Sequence, residues 1–107
     1  MANPLFRKLN YINFFKILLC VKSNETKIIA YIIRYMDYDN RIYMDRSEVS
    51  LSVGCSDDTV SNITTDLIQC DFIRKNGINR YMVNPDCVYK GSDTRLPYLK
   101  KEFDSLI

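Results

Sequence analysis

The sequence of 107 residues predicts a mainly α fold with a small β-hairpin. Two observations predict it: two amphipathic helical patterns are separated only by a tight turn at Gly54, and two short β-favouring runs joined by Asn76-Gly77 follow directly. Two helices joined by a tight turn form a helix-turn-helix, and a hairpin after it makes a winged helix-turn-helix. The composition, 47% hydrophobic and 26% charged, is that of one ordinary globular domain.

The first elements come before this motif. Residues 1–8 contain the breaker Asn3-Pro4 and are expected to form a flexible arm, which leaves residues 9–107 as a single winged helix-turn-helix domain. Apolar residues at helical spacing predict a first helix over 11–21 and a second over 25–37, which Ser23-Asn24 would start. A turn over 37–40 then leads to a short strand over 41–44.

Capping signals define the two helices of the motif. Asp45 and Glu48 form an Asp variant of the capping box, and Gly54 ends this short helix in a left-handed conformation. Ser50 is small enough to let the two helices approach closely. Ser56 caps a longer helix over 57–70, on which one face is expected to be buried: Val60, Ile63, Thr64, Leu67 and Ile68.

The hairpin and a last helix complete the chain. Residues 72–75 and 80–83 are predicted strands, and Asn76-Gly77 predicts a two-residue type I′ turn because both residues tolerate positive φ. Leu96, Leu99 and Phe103 predict a terminal amphipathic helix, with Pro97 in its first turn.

Composition excludes several classes of function. The chain has no histidine, and its three glycines lie too far apart for a phosphate-binding loop, so we expect no enzyme and no cofactor. The four cysteines lack metal-ligand spacing, so no metal site is expected, and Cys20 and Cys70 are interpreted as small apolar fillers in a reducing compartment. No apolar run is long enough for a membrane span, and we expect a cytoplasmic protein with no membrane partner.

The motif order predicts double-stranded DNA as the partner. In a helix-turn-helix the second helix enters the major groove and its N-terminal residues reach base edges. We therefore expect recognition helix 57–70 in the major groove and wing 74–80 on the backbone or in the minor groove. Asn62 could pair bidentately with adenine. The predicted DNA-binding residues are Ser56, Thr59, Ser61, Asn62 and Thr65 on the helix, and Arg74, Lys75, Asn79 and Arg80 on the wing.

Charge along the chain argues against this interpretation. The net charge of +2 is an average, because residues 45–71 hold six acids and one base, a local net of −5, between two basic flanks. Phosphates repel such a segment. One alternative hypothesis is a winged-helix protein-interaction module, whose acidic helix would dock a basic partner and whose apolar C-terminal helix would form a homodimer. The other is a transcriptional regulator.

Short motifs after the hairpin resemble a known family. The segment Arg80-Tyr81-Met82-Val83-Asn84-Pro85, followed by Val88-Tyr89-Lys90-Gly91, is similar to the RepL-type plasmid replication proteins of Firmicutes, while the helix-turn-helix segment resembles bacterial winged-helix regulators in general. The resemblance implies a DNA-binding protein that acts in plasmid replication initiation or its control, without nuclease residues of its own.

Overall fold

The computed structural model describes residues 23–106, which form four helices and a three-stranded sheet. The predicted arm over 1–8 and the predicted helix over 11–21 lie outside the described residues. The elements, in chain order, are α1 (Asn24–Tyr35), β1 (Arg41–Tyr43), α2 (Arg46–Val53), α3 (Asp57–Gln69), β2 (Ile73–Lys75), β3 (Arg80–Val83) and α4 (Leu96–Ser105).

The predicted caps set the helix boundaries of the motif. The Asp45 carboxylate accepts a hydrogen bond from the Glu48 backbone N–H at 3.2 Å, and the Ser56 hydroxyl accepts one from the Thr59 N–H at 3.1 Å. Gly54 ends α2 with a φ of 85°, a conformation that glycine adopts without steric cost. Three residues therefore separate α2 from α3, as the helix-turn-helix prediction requires.

The sheet is antiparallel with strand order β1-β3-β2, so the central strand is the second strand of the hairpin. One face of the sheet carries Ile42, Ile73 and Val83 into the main core, which α1, α2 and α3 complete with residues such as Ile28, Val49 and Ile63. The other face places Met82 against Leu99 and Phe103 of α4. The sheet is thus a layer between the helix-turn-helix core and α4. This architecture is mainly helical with a hairpin and is compatible with a winged helix, as predicted.

The turn of the hairpin differs from the prediction. Four residues, 76–79, lie between β2 and β3, and the loop is closed by a hydrogen bond from the Arg80 N–H to the Gly77 carbonyl at 3.2 Å. Positive φ occurs at Gly77 (124°) and Asn79 (57°). A type I′ turn needs positive φ at both of its central residues, and Asn76 is not among the residues with positive φ. The prediction of a two-residue type I′ turn was therefore wrong.

Two expectations about burial were also wrong. Ile68 is 38% exposed and Thr64 is half-buried, because the buried face of α3 is limited to Val60, Ile63 and Leu67. Cys70 is exposed at the end of α3 and does not fill the core. Within residues 23–106 there is no cluster of metal-ligating side chains, and none of the helices in this part of the chain has the length and hydropathy to cross a membrane.

Candidate nucleic-acid interface

An open groove of about 490 Å³ runs between α3 and the β2–β3 hairpin. Its walls come from three parts of the motif: the start of α2, one face of α3, and the hairpin. The lining residues are Met44, Asp45, Arg46, Ser47, Val60, Ser61, Thr64, Thr65, Ile68, Lys75, Asn79 and Tyr81.

The α3 wall of the groove is a helical stripe. Ser61, Thr64, Thr65 and Ile68 follow one another at the spacing that places side chains on one face of a helix. The Thr65 hydroxyl donates to the Ser61 backbone carbonyl at 3.0 Å, which fixes its rotamer. The stripe offers hydroxyl groups to the groove beside one aliphatic side chain.

Arg46 lies where the groove meets the start of α2, and sequence reasoning missed it. Its guanidinium donates to the Ser61 hydroxyl at 3.1 Å and so links α2 to the middle of the α3 wall. A signal for it existed: Arg46 is the one base in the acidic segment, and it occupies the first helical turn, where the helix dipole disfavours a cation. A charge in such a position suggests a role other than helix stability. Ser47, Thr64 and Tyr81 were missed as well.

The hairpin forms the opposite wall. Lys75 and Tyr81 are paired across β2 and β3 and both line the groove, while Asn79 lines it from the loop. The Asn79 carbonyl accepts a hydrogen bond from the Met44 N–H at 2.8 Å. This bond joins the loop to the residue that precedes Asp45, the N-cap of α2. Backbone bonds therefore hold the wing at a fixed distance from the helix-turn-helix.

The acidic segment is distributed around the groove rather than in it. Among its six acids only Asp45 lines the groove, and its carboxylate caps α2. Two bases, Arg46 and Lys75, line the same groove. The local balance of the groove is therefore basic, although the sequence from 45 to 71 is strongly acidic.

Asp57 is one of the acids of this segment that lie outside the groove. Its carboxylate lies 2.6 Å from the Ser50 hydroxyl and 3.2 Å from the Ser47 hydroxyl, so it joins α3 to α2 across the turn. The hydrogen bond from Ser50 is the largest influence and lowers the pKa of this carboxyl, with the Ser47 hydroxyl and the Arg46 charge acting in the same direction. Ser50 is only 7% exposed and lies where α2 and α3 approach closely, as predicted. Its hydroxyl also hydrogen-bonds to Asp57 of α3.

The structure brings together four of the nine predicted DNA-binding residues. Ser61, Thr65, Lys75 and Asn79 line the groove. Ser56 and Thr59 lie at the start of α3, where their hydroxyls bond to each other at 2.8 Å within the cap. Asn62 is exposed on α3 and does not line the groove.

Arg74 and Arg80 lie on the opposite face of the hairpin from Lys75. The Arg80 guanidinium lies 5.7 Å from the centre of the Tyr43 ring near the hairpin loop. Arg74 is half-buried against α4. It pairs with Asp71 at 2.8 Å and donates to the carbonyls of Phe103 and Leu106 at 2.9 Å each. Its guanidinium also lies over the Phe103 ring. Asp71 is the first cause of a raised pKa for Arg74. This geometry gives Arg74 a part in docking α4.

The fold and the groove define a class: a mainly helical domain, compatible with a winged helix, with a polar, locally basic groove between α3 and the β2–β3 hairpin. The particular family follows from comparison with family models. The model for RepL, the Firmicute plasmid replication protein, matches residues 3–106, and the chain belongs to this family. The resemblance seen in the sequence is thereby confirmed. No curated protein and no solved structure matches the chain.

Proposed function

We propose that this plasmid replication protein binds double-stranded DNA, with α3 in the major groove and the β2–β3 hairpin on the adjacent backbone. The observation that supports it is the groove itself. A set of hydroxyl and amide side chains on α3 and the hairpin faces the same space as the two cations Arg46 and Lys75. Hydrogen-bonding groups flanked by cations are what duplex DNA requires, since bases are read by polar side chains and phosphates by positive charge.

The binding mode assigns different tasks to the residues. Ser61, Asn62 and Thr65, on the exposed and groove-lining side of α3, would reach base edges. Arg46, Lys75 and Arg80 would neutralise phosphates, and Asn79 would hydrogen-bond to the backbone. Ser56 and Thr59 at the N-terminus of α3 would approach a phosphate there, where the helix dipole favours an anion. Arg74 is left out of the interface because its guanidinium is engaged by Asp71 and α4.

The proposal describes a protein that works by binding, without catalysis of its own, in the cytoplasm where plasmid DNA is copied. Its family places it in plasmid replication, and sequence-specific binding at the plasmid origin, to initiate or control replication, is the activity that such a domain would contribute.

A mobility-shift experiment tests the proposal. The full chain is titrated into duplexes covering the origin region of its own plasmid and into a scrambled duplex of the same composition, across a salt series. We expect preferential binding of one origin segment, with affinity that falls as salt rises. Absence of binding to every duplex at about 50 mM salt, where phosphate contacts are strongest, would contradict the proposal.

The competing hypothesis is a homodimerising protein-interaction module. The exposed rings of Tyr38 and Tyr98 favour it, because aromatic side chains are enriched at protein interfaces. Sedimentation of the chain alone and with origin duplex separates the two. A dimer that forms without DNA and does not co-sediment with any duplex would favour the protein-interaction role.

A further inference from the structure

A single large aliphatic side chain stands at the tip of the β2–β3 hairpin. Ile78 is 86% exposed and lies in the loop between the paired residues Lys75 and Tyr81. Isolated exposed aliphatic residues are ordinary on protein surfaces, so the exposure alone indicates nothing. The surroundings of Ile78 point to a specific ligand.

Cations flank this tip on both faces of the hairpin. Lys75 faces the groove beside α3, and Arg80 lies on the other face, next to Gly77 and over the Tyr43 ring. A minor groove has the matching arrangement, because it is a narrow cleft about 6 Å wide whose two edges are phosphate backbones. A hairpin that enters it would meet phosphates on both of its faces and bases at its tip.

The loop that carries Ile78 is held in place before any ligand binds. The Arg80 N–H bonds to the Gly77 carbonyl across the loop, and the Asn79 carbonyl bonds to the Met44 N–H at the start of the helix-turn-helix. Gly77 and Asn79 on either side adopt positive φ, and the side chain of Ile78 between them is exposed. The position of the tip relative to α3 is therefore set by the fold.

We propose that Ile78 enters the minor groove next to the major-groove site of α3 and partly unstacks one base step there. Aliphatic side chains are the wedges that minor-groove proteins insert between bases, and the contacts that the resulting bend permits offset the cost of unstacking. A wedge of this kind would weaken the duplex locally, which is a useful property in a protein of plasmid replication. The inference rests on the proposed DNA binding.

The test uses duplexes with the fluorescent base 2-aminopurine, which brightens when it is unstacked. A bound origin segment is labelled at successive positions, and fluorescence and affinity are measured with the full chain. We expect a rise of roughly twofold or more at one position flanking the α3 site. Ile78→Ser should bind within roughly tenfold of the wild type yet give no rise, and Ile78→Leu should keep it, because leucine is also an effective wedge.

Tyr35→Ser serves as the matched control, since Tyr35 is 58% exposed on α1 and does not line the groove. It should leave both affinity and fluorescence unchanged. A wild-type chain that binds without any rise, or an Ile78→Ser variant that retains the rise, would overturn the wedge and leave DNA binding intact. Failure of the wild type to bind any duplex would instead overturn the proposed function.

Discussion

Asp57 begins α3 at the point where an acidic residue should most repel a phosphate. The structure shows why it is tolerated there: its carboxylate bonds to the Ser50 and Ser47 hydroxyls of α2 and does not line the groove. It also lies in the first turn of α3, where the helix dipole favours a negative charge. Asp57 therefore holds the two motif helices together, and its presence is not evidence against DNA binding.

Substitution of Ser50 tests this role. We expect Ser50→Ala to lower the free energy of unfolding by about 1 kcal/mol at neutral pH, because a partly buried hydrogen bond is lost. The pKa of Asp57 is lowered in the folded state, so the stability that it contributes is present above the pKa of the unfolded chain and is lost as the pH falls through the folded value. The difference between wild type and variant should therefore shrink in acid.

Urea unfolding at about pH 7 and about pH 3 measures this difference. Ser52→Ala is the control, because Ser52 lies exposed on the same helix and the same change in helix propensity occurs there. A destabilisation by Ser50→Ala that is equal at both pH values would show that Asp57 is not the group being stabilised.

Asn62 is the residue whose loss should change what is bound rather than how tightly. Its side chain is exposed on α3, and a bidentate pair with adenine contributes about 1–3 kcal/mol of discrimination against other bases. We expect Asn62→Ala to lose the preference for adenine at one position of the site. Selection of bound sequences from a random duplex library measures it, with Gln69→Ala at the far end of α3 as control. Equal losses on every sequence would remove Asn62 from base readout.

At the scale of single elements, β2 directs neighbouring cations to opposite faces of the sheet. Lys75 faces the groove, whereas Arg74 faces α4 and is bonded to its last carbonyls. Successive strand residues alternate in this way. What separates the roles of the two residues is that the Arg74 guanidinium is engaged by Asp71 and the end of α4. A count of charges along the sequence treats Arg74 and Lys75 alike, but the two residues occupy different environments in the structure.

Separate substitutions of Lys75 and Arg74 test this difference. Lys75→Ala should reduce the slope of log K against log salt by about 0.9 for DNA binding and leave the midpoint of unfolding unchanged, because one phosphate contact is lost. Arg74→Ala should lower the midpoint of unfolding and leave the salt slope unchanged. Each variant is the control for the other. A reduced slope for Arg74→Ala with unchanged stability would return Arg74 to the DNA interface.

The helix boundaries were predictable because local chemistry sets them. Ser23, Asp45 and Ser56 each bond to a backbone N–H three residues on, and Gly54 adopts the left-handed conformation that ends a helix. The hairpin turn was not predictable in the same way, because the pairing of Lys75 with Tyr81 decides the loop length and that pairing depends on the whole sheet. The exposure of Ile68 likewise depends on how α3 packs beside the hairpin, and helical periodicity alone does not predict that packing.

At the scale of the molecule, the arrangement of charge matters more than its sequence order. The segment with a net charge of −5 contributes one acid and one base to the groove, and the hairpin adds Lys75. Asp71 is paired with Arg74, and Asp57 lies between the motif helices. The groove residues themselves could be partly predicted: those on α3 and the hairpin were, whereas Arg46 required the tertiary packing that brings α2 against Ser61.

The acids that remain on the exposed surface of α3 are Asp58 and Asp66. Neither lines the groove, yet both lie on the helix that would enter DNA, so their charges should weaken binding through space. We expect the double variant Asp58→Asn/Asp66→Asn to bind duplex DNA more tightly, by roughly threefold at low salt, with the gain vanishing as salt rises because exposed charges are screened. Fluorescence anisotropy across a salt series measures it.

The matched control is Glu25→Gln/Asp104→Asn, which makes the same change in net charge at exposed positions on α1 and α4. If the fold places α3 against DNA, this control should raise affinity far less than the α3 variant. An equal gain from both variants would mean that DNA responds to the total charge of the chain, and α3 would then have no special position in the complex. A gain in affinity for the α3 variant alone would locate the interface on α3, although the acidic segment 45–71 that contains this helix had argued against DNA binding.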